Sequence, residues 1–169
     1  MKKPGKKDYA PFYDGYIQNI TEDVFKVLGE QLHSTNNFLK SISEEKSSYA
    51  YAEGKWTIKE VIGHLIDAER IFSYRALAIS RGEEQPLPGW DEKEYTPNGN
   101  FNERTLDDLA NELKLMREAN LLLFNSFNDE MLDKRGIASG KEVTVLAILF
   151  IITGHQAHHI KVLKERYLK

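Results

Sequence analysis

Apolar residues recur every three or four positions over most of this 169-residue chain, which is the spacing of amphipathic helices. The first such segment carries Val24, Phe25, Leu28, Leu32 and Leu39. It predicts a helix that begins with a cap at Thr21 and ends near Ser43. In the second segment, Thr57-Ile58-Lys59-Glu60 fits a capping box, in which the threonine hydroxyl and the glutamate carboxylate each accept a backbone hydrogen bond. A second helix is therefore predicted from residue 57 to about residue 80.

The second half of the chain predicts two more helices, over residues 106–127 and 144–167. With the first two they make an all-α four-helix bundle the expected fold. Residues 1–169 are expected to form a single domain, with residues 1–8 as a disordered arm.

The segments between the helices contain turn-forming residues. Residues 9–20, with Pro11 and Gly15, are expected to form an irregular leader on the body, and residues 47–55 a connector. Residues 81–102 are rich in glycine and proline and are predicted to form a long loop, a length at which loops are usually functional or disordered. A linker containing Gly136 and Gly140 is predicted before the fourth helix.

Three histidines carry the strongest chemical signal. His155 and His159 lie four positions apart in the fourth helix and therefore share a face. At about 100° per residue, that face also carries Ile148, Ile151, Ile152 and Val162. In the second helix, His64 is surrounded by Val61, Ala68, Ile71 and Phe72. Three inward-facing imidazoles favour a metal site with three protein ligands and a position left for water, the arrangement of a catalytic metal. Separate hydrogen bonds from each histidine to core carbonyl or hydroxyl groups are the alternative that spacing leaves open. His158 is expected to flank the pair, and His33 to lie on the surface.

Other metal and nucleotide chemistries fit the sequence poorly. The second position of the His155–His159 segment is Gln156, so the glutamate base of the His-Glu-x-x-His metalloproteases is missing. Glu30 and His33 form the chain's one Glu-x-x-His pair, whereas di-iron bundles need two. The glycine-containing segment 136–142 is one residue too short for a phosphate-binding loop.

Charged residues near His64 are weaker candidates. Asp67 lies three positions after His64 and could orient a ligand or a water molecule, or simply face solvent. Arg75 lies on the same inward stripe and could anchor an anionic group of a substrate or pair with an acid of the long loop. Glu60 is explained by the capping box.

The composition of the chain argues against disulfide-bonded, nucleic-acid-binding and membrane-spanning proteins. The chain has no cysteine, which excludes disulfides and thiolate ligands and fits a cytoplasmic protein. The formal net charge is −3, and the basic residues cluster only in residues 2–7, so nucleic-acid binding is not favoured. The longest apolar run, residues 143–152, is too short to span a membrane and is predicted to be the buried part of a core helix.

Three segments of the chain form a set of motifs: KWTIKEVIGHLIDAER at 55–70, LPGWDEKEY at 87–95 and GHQAHH at 154–159. In this order they resemble the signatures of the DinB-like (YfiT-type) metal-binding four-helix bundles. The resemblance implies up-down-down-up topology with a long loop between helices two and three. It also implies that His64, His155 and His159 bind a zinc, nickel or iron ion, in agreement with the helical wheel.

The same resemblance implies two kinds of activity, since the family includes metal-dependent hydrolases and transferases that use low-molecular-weight thiols such as bacillithiol or mycothiol. We expect a divalent metal to activate a water molecule or a thiol toward a small-molecule substrate. The absence of a glutamate at Gln156 mildly favours the thiol, and Trp90 and Tyr95 of the loop are expected to wall the pocket. A non-catalytic bundle that dimerises or binds a partner, stabilised by its metal, is the alternative. The sequence also leaves a homodimer open.

Overall fold

The computed structural model describes residues 2–169, and four long helices dominate it. In chain order the elements are α1 (Asp14–Gln18), α2 (Val24–Lys40), α3 (Glu44–Ser47), α4 (Ile58–Ser80), α5 (Glu92–Asn98), α6 (Leu106–Asn125), α7 (Asp129–Asp133), β1 (Arg135–Ala138), β2 (Lys141–Thr144) and α8 (Val145–Val162). The chain continues from α8 into a π-helical turn, Leu163–Tyr167. The predicted four long helices correspond to α2, α4, α6 and α8, and the four-helix bundle is confirmed.

Side-chain caps set where the long helices begin. The predicted capping box at α4 is present: the backbone amide of Thr57 donates to Glu60 at 2.7 Å, and that of Glu60 donates to the Thr57 hydroxyl at 3.1 Å. The prediction that Thr21 caps the first helix is wrong. Asp23 is the cap, and its carboxylate accepts hydrogen bonds from the amides of Phe25 and Lys26. A carboxylate two residues closer to the apolar repeat satisfies these free amides directly.

Contacts between α2 and α8, and between α4 and α6, show two parallel pairs. Gln31 Nε2 donates to the Thr153 carbonyl of α8, and Gln156 Nε2 donates to the Thr35 hydroxyl of α2, so both helices advance together. The start of α4 lies beside the start of α6, because the Thr57 hydroxyl donates to the Asn102 side chain at 2.8 Å.

The two pairs run in opposite directions. His64, near the start of α4, meets His155 and His159 near the end of α8. Arg117 of α6 donates to the Leu28 carbonyl of α2, near the start of that helix. The order is therefore up-down-down-up. Because α4 and α6 are parallel, the chain between them must return along the length of the bundle.

This crossover is more ordered than the predicted long loop. Within residues 81–102 the chain forms α5, capped by Asp91, and a 3₁₀ turn begins at Phe101. Pro97 lies inside α5, near its end. A local carboxylate cap thus outweighs the density of glycine and proline on which the loop prediction rested.

The predicted linker around Gly136 and Gly140 is also wrong, since these residues belong to the β1–β2 hairpin. Ser139 and Gly140 form its two-residue turn, with φ of 52° and 71°. Positive φ at both positions is the signature of the turn whose twist matches an antiparallel pair. Leu87 of the crossover pairs with the hairpin, donating to the Ile137 carbonyl at 2.8 Å and accepting from the Ser139 amide at 3.1 Å.

The core lies along α8. Every residue from Val145 to Gly154 is buried, so the predicted buried apolar run is confirmed. The segment Val145–Tyr167 is long and apolar enough to cross a membrane by composition alone. In the fold, the buried residues of this segment pack against the other helices of the bundle.

The N-terminal arm, expected to be disordered, lies along the hairpin where the structure describes it. Arg135 donates to the Lys7 carbonyl at 2.8 Å and to the Asp8 carboxylate at 2.6 Å, and Pro4 is buried. Met1 lies outside the described residues.

Candidate metal centre

The three predicted histidines converge between the start of α4 and the end of α8. His64 Nε2 lies 3.0 Å from His155 Nε2, and His159 Nε2 lies 3.1 Å from the same atom. Their ligand nitrogens all lie within 4.8 Å of one another. His64 is 5% exposed, whereas His155 and His159 are partly exposed. The cluster therefore has a buried side and a side that solvent can approach.

Hydrogen bonding among the three rings cannot satisfy this arrangement. A ring nitrogen either carries one hydrogen or offers one lone pair, in a single direction in the ring plane. His155 Nε2 faces two other nitrogens at once and can form a good hydrogen bond with only one of them. One cation accepts all three lone pairs. With metal–nitrogen distances of about 2.0–2.1 Å, ligands of a tetrahedral site lie roughly 3.3 Å apart, close to the observed separations.

The histidines are held neutral, as ligands must be. Burial lowers the pKa of His64 to about 4, although the charge of Glu92 opposes this shift. Burial, with the neighbouring His64 and His158, lowers the pKa of His159 to about 3. The pKa of His155 is lowered well below its ordinary value, mainly by burial. At neutral pH all three imidazoles therefore keep a lone pair available.

Two indole rings flank His64. The Trp56 ring centroid lies 4.9 Å from that of His64, and the Trp90 ring stacks on it at 5.6 Å with 19° between the planes. In the part of the chain that the structure describes, His64 Nδ1 is buried with no hydrogen-bond partner. The indoles therefore hold the imidazole by packing. Trp90 walls the site as predicted, and Trp56 packs against the same imidazole from the start of α4.

The leader before α2 closes another side of the site. The Tyr16 ring lies edge-on to the His155 ring, with 5.5 Å between the centroids. The Tyr16 carbonyl sits where a Cβ on Gly154 would be, only 2.2 Å from that position. The absence of a side chain at Gly154 thus lets the leader backbone lie directly on α8.

Glu92 is the acidic residue that the sequence analysis missed. It is half-buried at the start of α5, two residues after Trp90. Its charge opposes the lowering of the His64 pKa by burial, and it adds to the effect of burial in raising the pKa values of Tyr13 and Tyr16. Glu92 is therefore the carboxylate of the crossover whose charge acts on the histidine cluster. In the sequence, only its place beside Trp90 in the crossover could have indicated this role.

The other candidates lie elsewhere. Within residues 2–169 the metal-type cluster contains three histidines and no carboxylate. Asp67 is half-buried, and burial raises its pKa, while the nearby charges are those of Arg70 and Glu112. Arg75 points to the crossover and the hairpin, where it donates to the Pro88 carbonyl and not to an acid of the loop.

His33 and His158 are both exposed, and the prediction of a surface position for His33 is confirmed. The His158 ring packs against the Tyr16 and His159 rings, with centroids 5.5 Å and 5.2 Å away, so it flanks the pair as expected.

Comparisons with known proteins agree with this geometry. The family model described as the DinB superfamily matches residues 28–163. A protein of Oceanobacillus iheyensis, named "Putative metal-dependent hydrolase", is 24% identical over 150 residues, covering 85% of this chain and 84% of that protein.

Two solved structures share the fold. One is YfiT from Bacillus subtilis, described as "a probable metal-dependent hydrolase with an unusual four-helix bundle topology"; it aligns with a TM-score of 0.75 at 18% identity, over 97% of this chain and 90% of that one. The other is a mycothiol-dependent maleylpyruvate isomerase, which aligns with a TM-score of 0.66 at 15% identity, over 81% of this chain and 58% of that one. The family match spans most of the sequence and includes all three histidines, so the chain belongs to the DinB superfamily.

Proposed function

We propose that this protein is a metal-dependent enzyme in which His64, His155 and His159 bind one divalent ion, such as zinc, nickel or iron. The observation that carries the proposal is the convergence of three Nε2 atoms, with that of His155 facing both others at 3.0 and 3.1 Å. The metal-dependent names of its relatives support it. Imidazole ligands suit several transition metals, and the choice among them follows from availability as much as affinity.

When bound, such an ion lowers the pKa of a water molecule or a thiol and so supplies a nucleophile near neutral pH. The chain's own residues then have distinct tasks. Glu92 accepts the released proton, in the role that Gln156 cannot fill. Trp90 and Tyr16 limit access of bulk water to the histidines, which strengthens electrostatic interactions inside the site.

Hydrolysis of a small ester or amide is the reaction that these residues support best. Glu92, whose charge acts on His64, is the base that we propose for water activation, and two relatives carry hydrolase names. Transfer of a low-molecular-weight thiol to an electrophilic carbon is the second candidate. It is supported by the fold shared with a mycothiol-dependent enzyme, and by the smaller need of a thiol for a separate base. We propose that either reaction takes place in the cytoplasm, because low-molecular-weight thiols occur there and a chain without disulfides suits a reducing compartment.

Metal analysis of tag-free protein tests the site. We expect about one equivalent of metal in the wild type and in His33→Ala, which changes an exposed histidine of α2. We expect stoichiometric metal to be lost in His64→Ala and His155→Ala, because two imidazoles hold a divalent ion far less tightly than three. Equal metal content in all four proteins would refute the assignment.

Turnover tests the activity. Activated esters and amides, and separately a set of small thiols with a chlorinated aromatic or an epoxide, are offered to the metal-loaded protein. We expect turnover that disappears on chelation and returns with metal. Stoichiometric metal without turnover of any substrate would favour the alternative function, a bundle that binds a partner and is stabilised by its metal.

A further inference from the structure

Two arginines are buried among residues 2–169, and only one of these two has a counter-ion. Arg117 is 2% exposed and forms a bidentate ion pair with Glu69, with Nε–Oε1 at 2.7 Å and Nη2–Oε2 at 2.8 Å. Its remaining donors reach Gln31, Gln156 and the Leu28 carbonyl. The positive charge of this guanidinium is therefore compensated inside the bundle.

Arg75 is buried to the same degree, at 3% exposed, but all its partners are neutral. Its Nη2 donates to the Pro88 carbonyl at 2.7 Å and to the Ser139 hydroxyl at 2.9 Å. The Tyr13 phenol also lies beside it, and burial raises the pKa of that phenol, so it stays uncharged. Among residues 2–169 no carboxylate forms an ion pair with Arg75.

Such a charge is costly to bury, because it loses its hydration and gains no opposite charge in return. If Arg75 only linked α4 to the crossover and the hairpin, hydrogen-bond donors would be enough and a positive charge would not be needed. Neutral partners therefore account for some of the five N–H groups of Arg75 and for none of its positive charge. The guanidinium is therefore suited to pair with an anion.

A cavity of about 270 Å³ borders this arginine, between α4 and the crossover. Its walls are mostly apolar and include Ile71, Tyr74, Arg75, Leu87, Trp90 and Tyr95. Arg70 also borders it but pairs with Glu112 of α6. The cavity lies just below the about 300 Å³ of the smallest pockets that take drug-sized ligands, so a compact molecule fits it.

Aromatic rings line one side of this cavity. The Trp90 and Tyr95 rings lie edge to face with centroids 5.5 Å apart, and Tyr74 and Tyr95 are largely exposed around the opening. Rings arranged in this way pack favourably on a further aromatic ring. Trp90 also stacks on His64, so the cavity adjoins the histidine cluster while sharing none of its nitrogens.

We propose that this cavity binds a small aromatic carboxylate, with the carboxylate paired to Arg75 and the ring packed against Trp90 and Tyr95. The carboxylate supplies the anion that the buried guanidinium lacks, and the ring fills the apolar walls. The interaction does not depend on a metal ion and therefore stands apart from the proposed function.

Fluorine NMR titrations of the full chain test this with fluorobenzoate and with its neutral analogue fluorobenzamide. We expect fluorobenzoate to bind at least about tenfold more tightly than the amide, because a charge-assisted pair is replaced by neutral hydrogen bonds. Arg75→Gln should weaken fluorobenzoate binding about tenfold and leave the amide nearly unchanged. Arg81→Gln is the matched control, since this exposed arginine ends the same helix without bordering the cavity.

Two further measurements keep the result unambiguous. The titration is repeated after chelation of metal: unchanged binding supports the cavity, and loss of binding would show that the carboxylate sits on the metal and would overturn the proposal. If Arg75→Gln does not fold, the wild-type comparison of acid and amide still decides, together with Tyr95→Ala at the exposed rim. Equal affinities for acid and amide, or no effect of Tyr95→Ala, would also overturn it.

Discussion

His155 and Gln156 are neighbours in α8 but serve opposite sides of the bundle. His155 faces the histidine cluster, whereas Gln156 is 5% exposed and accepts a hydrogen bond from Arg117 Nη2. Its own amide donates to the Thr35 hydroxyl at 2.7 Å. Gln156 thus ties α8 to α2 and α6 on the side away from the metal-type cluster. The absence of a glutamate at this position has a structural reason, and it says little about the base that the site uses.

Replacing Glu92 by glutamine separates its chemical role from metal binding. We expect Glu92→Gln to keep full metal content, because Glu92 does not belong to the histidine cluster. We expect kcat to fall by about 10²-fold or more, the usual contribution of a positioned general base. The measurement is steady-state turnover of the best substrate from the panel, with metal content determined on the same samples.

Glu94→Gln is the matched control, since Glu94 is exposed on the same short helix α5. It should retain wild-type turnover. A loss of metal in Glu92→Gln would show a structural or ligating role instead, and unchanged kcat would remove Glu92 from the mechanism.

At the scale of the elements, two glycines let other segments lie directly on the helices that carry the histidines. Gly63 precedes His64, and a Cβ there would lie 2.2 Å from the Phe101 ring of the crossover. Gly154 precedes His155, and a Cβ there would lie 2.2 Å from the Tyr16 carbonyl of the leader. Each histidine-bearing helix therefore has a glycine one residue before its histidine, and a neighbouring segment packs directly on the helix at that glycine.

Gly154→Ala tests whether the leader is held in this way. A methyl group against backbone leaves no flexible side chain to move, so we expect a loss of about 1–3 kcal/mol in the free energy of unfolding. Urea unfolding measures this loss, and hydrogen exchange should show residues 9–20 becoming less protected. Gly15→Ala, in the leader itself, has nothing within 4 Å of its Cβ position and should be neutral or slightly stabilising. Similar losses in both variants would point to the leader conformation and not to the close approach.

At the scale of the whole molecule, the apolar pattern was sufficient to locate all four long helices and the three histidines. Each of those helices has a continuous apolar face that must be buried, so its formation depends little on the details of the rest of the fold. The spacing of His155 and His159 is likewise local. The hairpin was missed because its strands are four residues each and are stabilised by the Leu87 pairing, a contact between distant parts of the chain.

The position of Glu92, which was not predicted, has the same origin. Its charge acts on His64, and Trp90 stacks on that ring as predicted, because the parallel arrangement of α4 and α6 forces the crossover along the bundle. For Arg75 the sequence predicted the inward position but not the partners. Its neutral partners depend on where the hairpin turn at Ser139 lies in the fold. Sequence periodicity places residues on faces, and tertiary packing decides what those faces meet.

The histidine cluster joins the start of α4 to the end of α8, so a bound ion should stabilise the entire fold. A ligand that binds the native state alone at one hundred times its Kd adds about 2.7 kcal/mol, which corresponds to a rise in Tm of roughly 5–10 °C for a chain of this size. Thermal unfolding followed by circular dichroism, with excess Zn²⁺ or with a chelator, measures the difference. His33→Ala should shift as the wild type does, whereas His64→Ala should unfold at the same temperature in both conditions. A zinc-dependent shift that persists in His64→Ala would place the ion elsewhere on the molecule, since α4 would then contribute nothing to its binding.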